Sequence, residues 1–423
     1  MAAHRMTPLE VPDEFWSRPD ARAALSDRDL GAVFHLLRQQ LGASQARIAI
    51  AAGLSQPDVS AYMAGHRTVR DIDLLERIAA GLRLPAHARR LLGLASVDQP
   101  DRAEPVPPVA PPELTALVAA LHPSAAKGGH PSPGHDPHVL YARIAAAKRE
   151  YRACRYTTVV ETMPDLLLAF PSGHDDRDLW ALTADAYHLA TSVLIKLGAS
   201  GLAMVAADRS LAAADRSGQP VAALASKRAL THALMSDGHH RAAKQVVMGV
   251  LGEAAPGKTS ADHLAVRGAL VLRGATAAAR DEDRTTAFQL LDEAAGMARR
   301  AGRDGNRHWT AFGPTNVLQH RVSVAVSLGD AGAAIDHARA LRTEGLPLVE
   351  RRAALWLDIA RAYLQWGKHH HAYEAVRAAE RVAPEEVRHR ASVHTMVREL
   401  VARAPWSLRS QSRELAERLG VSP

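Results

Sequence analysis

Residues 45–67 read QARIAIAAGLSQPDVSAYMAGHR, and this stretch decides how the first part of the chain folds. It reads as two short helices joined by a tight turn. Ser44 is placed to cap the first helix just before its apolar positions. Gly53 follows that helix, where the corner needs a residue that tolerates positive φ. Ser55 caps the second helix, and Pro57 sits in its first turn, where a missing N–H costs nothing. Ile48, Ala52, Leu54, Val59 and Tyr62 share an inward face, and Ala49 is small where the two helices cross. Outward, Ser55, Gln56, Asp58, Ser60 and Ala61 are short or polar. A surface helix selected only for stability would carry long Glu and Lys there. Short polar side chains suit a helix that enters a major groove, where Gln pairs with adenine N6 and N7. The competing reading of the same spacing is a plain pair of packed helices.

A small residue, a glycine four positions later and a β-branched apolar residue six after that make the helix-turn-helix pattern. With Gln45 opening the first motif helix and Gln56 the second, the stretch resembles the lambda-repressor-like (XRE-family) DNA-binding domains. The resemblance implies a five-helix domain over residues 27–97. It implies that Gln45, Ser55, Gln56, Pro57, Ser60 and Ala61 face bases, with the two glutamines buttressing each other. Pro57 cannot hydrogen-bond where that family often reads a base, so its contribution is apolar contact with a thymine methyl. Arg38, Arg47, His66, Arg67 and Arg70 are expected to hold phosphates, with Asp58 opposing them. Leu30, Val33, Phe34, Leu37 and Leu41 make the stripe of a helix predicted over 27–41, and helices over 71–80 and 85–92 complete the domain. Residues 1–26 form a lead segment. Either Phe15, Trp16 and Leu25 pack it onto the domain, or it is an arm along DNA.

The chain has 423 residues, more than one ordinary domain. Few aromatics and an abundance of Ala, Leu and Arg favour helix throughout. The single cysteine, Cys154, excludes an internal disulfide framework and a thiolate zinc site. The net charge of +7 is spread along the chain, so it permits nucleic-acid binding without arguing for it. No stretch approaches the ~20 apolar residues of a membrane span, and no leader is evident. The expected location is cytoplasmic, with the nucleoid when DNA is bound. No nucleophile elbow, phosphate loop, dinucleotide fingerprint or zinc-protease spacing appears, so neither an enzyme nor a cofactor or metal is expected. The runs His239-His240 and His369-His370-His371 read as solvated turn residues, because consecutive histidines do not share a chelating face.

Residues 98–137 are a Pro/Gly-rich linker, semi-rigid where PVPPVAPP favours polyproline II, with an isolated turn or two of helix over 113–121. Residues 138–404 read as about six pairs of amphipathic helices with turns at Gly198, Gly238, near Asp281, at Gly329 and at Gly367. The clearest unit, LWLDIARAYLQWGKHHHAYEAVRAAERVA over 355–383, resembles a tetratricopeptide (TPR) repeat. Residues 405–423 would form a capping helix. The stretch WTAFGPTNVLQHRV over 309–322 resembles one that recurs in actinobacterial regulators with an N-terminal helix-turn-helix and C-terminal helical repeats. That similarity covers nearly the whole chain, including the FW near the start and APEEV after the last repeat. Two readings of this stretch stand. In one, Trp309, Phe312, Asn316, Gln319, His320 and Arg321 form an effector pocket; in the other, the aromatics are a wedge at an irregular repeat junction and Asn316 bridges helices.

Together these resemblances imply an all-α transcriptional regulator with an N-terminal DNA-binding domain, a linker and a C-terminal TPR-like solenoid. Its expected partners are double-stranded DNA, a second copy bound through the repeats, and a peptide, small-molecule or protein effector, with no membrane. The alternative is an interaction scaffold whose first domain binds DNA weakly or only localises the complex.

Overall fold

The structure, a computed structural model, describes residues 9, 11–69, 72–94, 114–122, 136–171, 175–253, 260–341, 346 and 348–421. Among these the chain is all helical, with no strand. The first group is α1 (Asp13–Ser17), α2 (Pro19–Ser26), α3 (Leu30–Leu41), α4 (Gln45–Ala52), α5 (Gln56–Met63), α6 (Ile72–Gly81) and α7 (Ala86–Leu92). One core joins them, built on Trp16, Leu25, Phe34, Leu37, Ile48, Val59, Leu75 and Leu92. Helices α1 and α2 belong to that core: Trp16 is fully buried and Phe15 packs edge-on against it at 4.9 Å. The segment 1–26 is therefore not separate from the domain where it is described.

The helix predicted over 27–41 starts later, at Leu30. Arg28 adopts φ 56°, and the Asp29 side chain accepts the Ala32 N–H at 2.9 Å, which fixes the start. Gly81 closes α6 where a Cβ would overlap the Ala51 carbonyl oxygen, so α4 and α6 approach backbone to backbone.

The remainder contains α8 (Leu114–Leu121), α9 (Pro137–Arg152), α10 (Tyr156–Leu168), α11 (Arg177–Lys196), α12 (Ser200–Ser217), α13 (Pro220–Ser236), α14 (His240–Gly252), α15 (Ala261–Arg280) and α16 (Arg284–Ala301). It continues with α17 (Pro314–Ser327), α18 (Ala331–Arg339), α19 (Val349–Gln365), α20 (His369–Val382), α21 (Pro384–His389), α22 (Ala391–Arg403) and α23 (Arg409–Leu419). Helix α8 lies inside the stretch read as linker, yet it is not isolated. Leu114, Leu117 and Leu121 are buried in one cluster with Leu140, Val159 and Met163 of α9 and α10. Its leucines at i, i+3 and i+7 supply an apolar stripe that solvent would not tolerate. Gly198, Gly238, Gly329 and Gly367 all take positive φ at hairpin turns, and Glu282 does so near Asp281. The terminal α23 buries Leu415 and Leu419 against the last hairpins, while Trp406 before it stays 85% exposed.

The helical hairpins do not form an open stack. Helix α21 returns to α10. The Tyr156 hydroxyl donates to the Glu386 carboxylate, and the Thr157 N–H donates to Glu385 at 3.0 Å, capping the N-terminus of α10. Ala353 and Ala383 join the same buried cluster as α9 and α10. The repeat region closes into a ring, with α11, α13, α15, α17 and α19 turning polar side chains toward its centre.

Candidate nucleic-acid interface

The motif helices are set by local chemistry. Ser44 Oγ accepts the Arg47 N–H at 3.3 Å, Gly53 turns the corner at φ 63°, and Ser55 Oγ accepts the Asp58 N–H at 3.3 Å. Ile48, Ala52 and Val59 are fully buried, and Tyr62 packs edge-on against Phe34. This leaves Ser55, Gln56, Pro57 and Ser60 exposed on one side of α5, with Ala61 half-buried beside them. Gln45 is half-buried, and its amide lies 3.6 Å from the Met63 sulfur. Its side chain therefore leans toward the end of α5, away from Gln56 at the start, and no bond between the two glutamines is present.

Of the residues expected to hold phosphates, Arg38, His66 and Arg67 are exposed and Arg47 is half-buried. Arg70 lies outside the described residues. Arg67 forms an ion pair with Asp58, whose carboxyl is lowered chiefly by the Ser55 hydroxyl and then by Arg67. Ser55 donates back to Asp58 at 2.6 Å. Arg67 and the Ser55 hydroxyl therefore share one carboxylate.

A cleft of about 970 Å³ runs beside the loop after α5, lined by Gly65, Arg67 and Thr68 on one wall and by Asp336, Arg339 and Lys368 on the other. Arg339 and Lys368 are not legible from the motif, because they lie far along the chain, at the end of α18 and just before α20. At the floor of this cleft the first domain docks on the repeats. The C-terminal carbonyls of α7 have no partners within the helix. Arg28 Nε donates to the Leu92 carbonyl at 3.2 Å, the Trp366 indole donates to Leu91 at 2.7 Å, and the Gly332 N–H donates to Gly93 at 3.4 Å. The Arg28 guanidinium stacks 4.7 Å from the Trp366 ring, and a Cβ at position 332 would overlap it.

The six residues of the candidate effector pocket do not converge. Trp309, Gln319 and His320 line a cavity inside the ring. Phe312 is buried against Gly268, which has no Cβ to obstruct it, and Asn316 is 5% exposed in the core. Arg321 lies about 100° round the helix from His320 and pairs with Asp292 at 3.0 Å on the other side. In this stretch Phe312 is packing and Trp309 faces the cavity.

A family model described as a helix-turn-helix domain matches residues 29–92. The matched segment spans α3 to α7, and the N-terminal domain is a helix-turn-helix domain. That family suggests DNA as its partner. No curated protein matches the chain. No helix among the described residues is long and apolar enough to cross a membrane.

Proposed function

We propose that the chain is a sequence-specific, DNA-binding transcriptional regulator of the lambda-repressor-like type, with no catalytic step of its own. It works in the cytoplasm, and its TPR-like repeats provide the dimer contact and sense an effector. The observation that carries the reading is the outer face of α5, where Ser55, Gln56, Pro57 and Ser60 are exposed, short or polar, and flanked by exposed Arg38, His66 and Arg67. Such a helix fits a major groove and leaves its cations at the height of the phosphates. A single small unit binds weakly, so a dimer on repeated half-sites is the expected form. Arg339 and Lys368 across the cleft extend the positive wall beside the loop at 65–68.

The direct test is selection of duplexes from a random pool with the full-length chain at ~150 mM salt, where purely electrostatic binding is weak. A recovered repeat motif supports the regulator, and its spacing gives the dimer geometry. Enrichment of no sequence, by the full chain or by residues 1–97, removes the DNA-reading claim and leaves an interaction scaffold.

A further inference from the structure

Inside the ring lies a cavity of about 200 Å³ into which nine lysine and arginine side chains project, against two carboxylates, Glu350 and Asp358. Five of the nine are paired. Lys148 meets Asp185, Lys196 meets Glu386 and Glu350, Arg351 meets Glu350, Arg361 meets Asp358, and Arg390 meets Glu386. The other four, Arg152, Arg228, Arg273 and Arg280, have no carboxylate within ion-pairing distance among the described residues. Even with Asp185 and Glu386 counted behind the lining, five positive charges remain in surplus.

The wall is shaped for these cations. Arg273 and Arg280 lie seven residues apart on one face of α15, and both line the cavity. Burial, and then the neighbouring guanidinium groups, push Arg273 down to about 9 and Arg228 and Arg280 down to about 10. All three stay cationic at neutral pH, so proton loss does not relieve the crowding. Arg228 donates to His188 Nε2 at 3.0 Å, which requires a neutral imidazole there, and burial beside the arginines keeps His188, His232 and His320 neutral. Trp309 forms the floor, its ring centroid 5.3 Å from Arg152 and 5.6 Å from Lys148. The backbone bends to put it there: His308, Trp309 and Ala311 all take positive φ, which residues with a Cβ rarely adopt. In that conformation the Trp309 and Thr310 carbonyls accept from Arg152 and Arg351.

We propose that this cavity binds a small, multiply charged oxyanion, a compact molecule carrying two or more phosphate or carboxylate groups, gripped by Arg228, Arg273 and Arg280 over Trp309. Guanidinium forks match both oxyanion types bidentately. A space of about 200 Å³ is below the usual range for drug-sized ligands, so it suits a compact polyanion and not a peptide or a nucleic-acid strand. The surplus charge excludes a cationic ligand. Helix α19 carries Glu350, Arg351, Asp358 and Arg361 to this cavity and is capped by Trp366, which holds Leu91 of the first domain. Ligand binding therefore has a rigid path to the docking contact. The binding itself is independent of the regulator reading; only its effect on DNA rests on that reading.

The test is calorimetric titration of the full-length chain, without DNA, at ~150 mM salt to screen surface charge. The probes are pyrophosphate and citrate, with orthophosphate and acetate as single-group anions. The expected result is saturable binding of pyrophosphate or citrate at least about tenfold tighter than of the single-group anions, and whichever binds better identifies phosphoryl or carboxyl groups as the natural handle. Arg273→Met and Arg228→Met should each weaken it about tenfold or more, while the melting temperature without ligand stays or rises because crowding is relieved. If one of these fails to fold, Arg280→Gln carries the same test. No saturable heat with either polyanion up to about 10 mM overturns the proposal. So does equal binding of the single-group anions, or binding unchanged in the variants. Because DNA is absent, a failed DNA selection does not alter this outcome, and a failed titration does not alter the selection.

Discussion

The two charged surfaces of this molecule are built on opposite principles. The outer face of α5 comes from Ser55, Gln56, Pro57 and Ser60, all within six positions of one another, and stands in water. Arg38, His66 and Arg67 are exposed beside it, and Arg67 shares a single carboxylate with Ser55. The ring cavity gathers its cations from α9, α11, α13, α15, α19 and the turn after α21, between residues 148 and 390. There every charge is crowded by its neighbours, and Glu386 is almost fully buried. A surface that meets a large polyanion from solvent needs only local helix geometry. A site that encloses a small one needs the whole circuit of helices in place.

The sharpest way to break this contrast is at the ring closure. Lys196→Met leaves Glu386 and Glu350 buried with one cation fewer, and should cost about 3–5 kcal/mol in urea unfolding. Burial alone would raise the Glu386 carboxyl, but Lys196 and Arg390 outweigh it and keep it below its ordinary value of 4.5. A lowered folded value means this contribution is full above the ordinary value and fades as pH falls toward the folded one. Lys196→Met should therefore begin acid unfolding at a higher pH than the parent chain. A variant as stable as the parent at every pH would remove the closure from the account.

On α5 the effects should fall on binding alone. Gln56→Ala should lose ~1–3 kcal/mol of discrimination at one base pair and shift the melting temperature hardly at all. Competition with single-base operator variants reads the first, and calorimetry the second. Between the two regions, Trp366→Phe keeps the stack under Arg28 but deletes the bond to the Leu91 carbonyl. It should weaken docking by about 0.5–1.5 kcal/mol, seen as faster hydrogen exchange across α7 with the other helices unaffected. The smallest effect is expected from Asp58→Asn. Releasing an exposed ion pair changes stability by about 1 kcal/mol or less, while freeing Arg67 should tighten binding to all DNA sequences alike. If tightening depended on sequence, Asp58 would be reading a base.

How far each region was legible follows from the same contrast. The motif turn was readable because Ser44, Gly53, Ser55 and Pro57 act on their immediate neighbours, and each has the role its residue type dictates. The turn glycines of the repeats were readable for the same reason. The start of α3 was not, since Arg28 at positive φ is stabilised by Leu92, Asp336 and Trp366, far along the chain. Helix α8 looked isolated because the leucines needed α9 and α10 to cover them. Within the stretch at 309–322, Trp309, Gln319 and His320 line the cavity. The arginines that give the cavity its charge left no local signal: Arg228, Arg273 and Arg280 read as ordinary helix residues until the ring brings them together.

The bond from Tyr156 to Glu386 spans 230 positions and has a consequence for how the chain melts. An open array of hairpins touches only its nearest neighbours, so it can fray from either end while the middle persists. Joining the first hairpin to α21, with only α22 and α23 beyond it, ties the two ends of the array together. Loss of α21 would loosen α10 as directly as it loosens α20. The repeat region should then unfold as a single cooperative unit, and trimming it at residue 383 should reach the opposite end of the array at once.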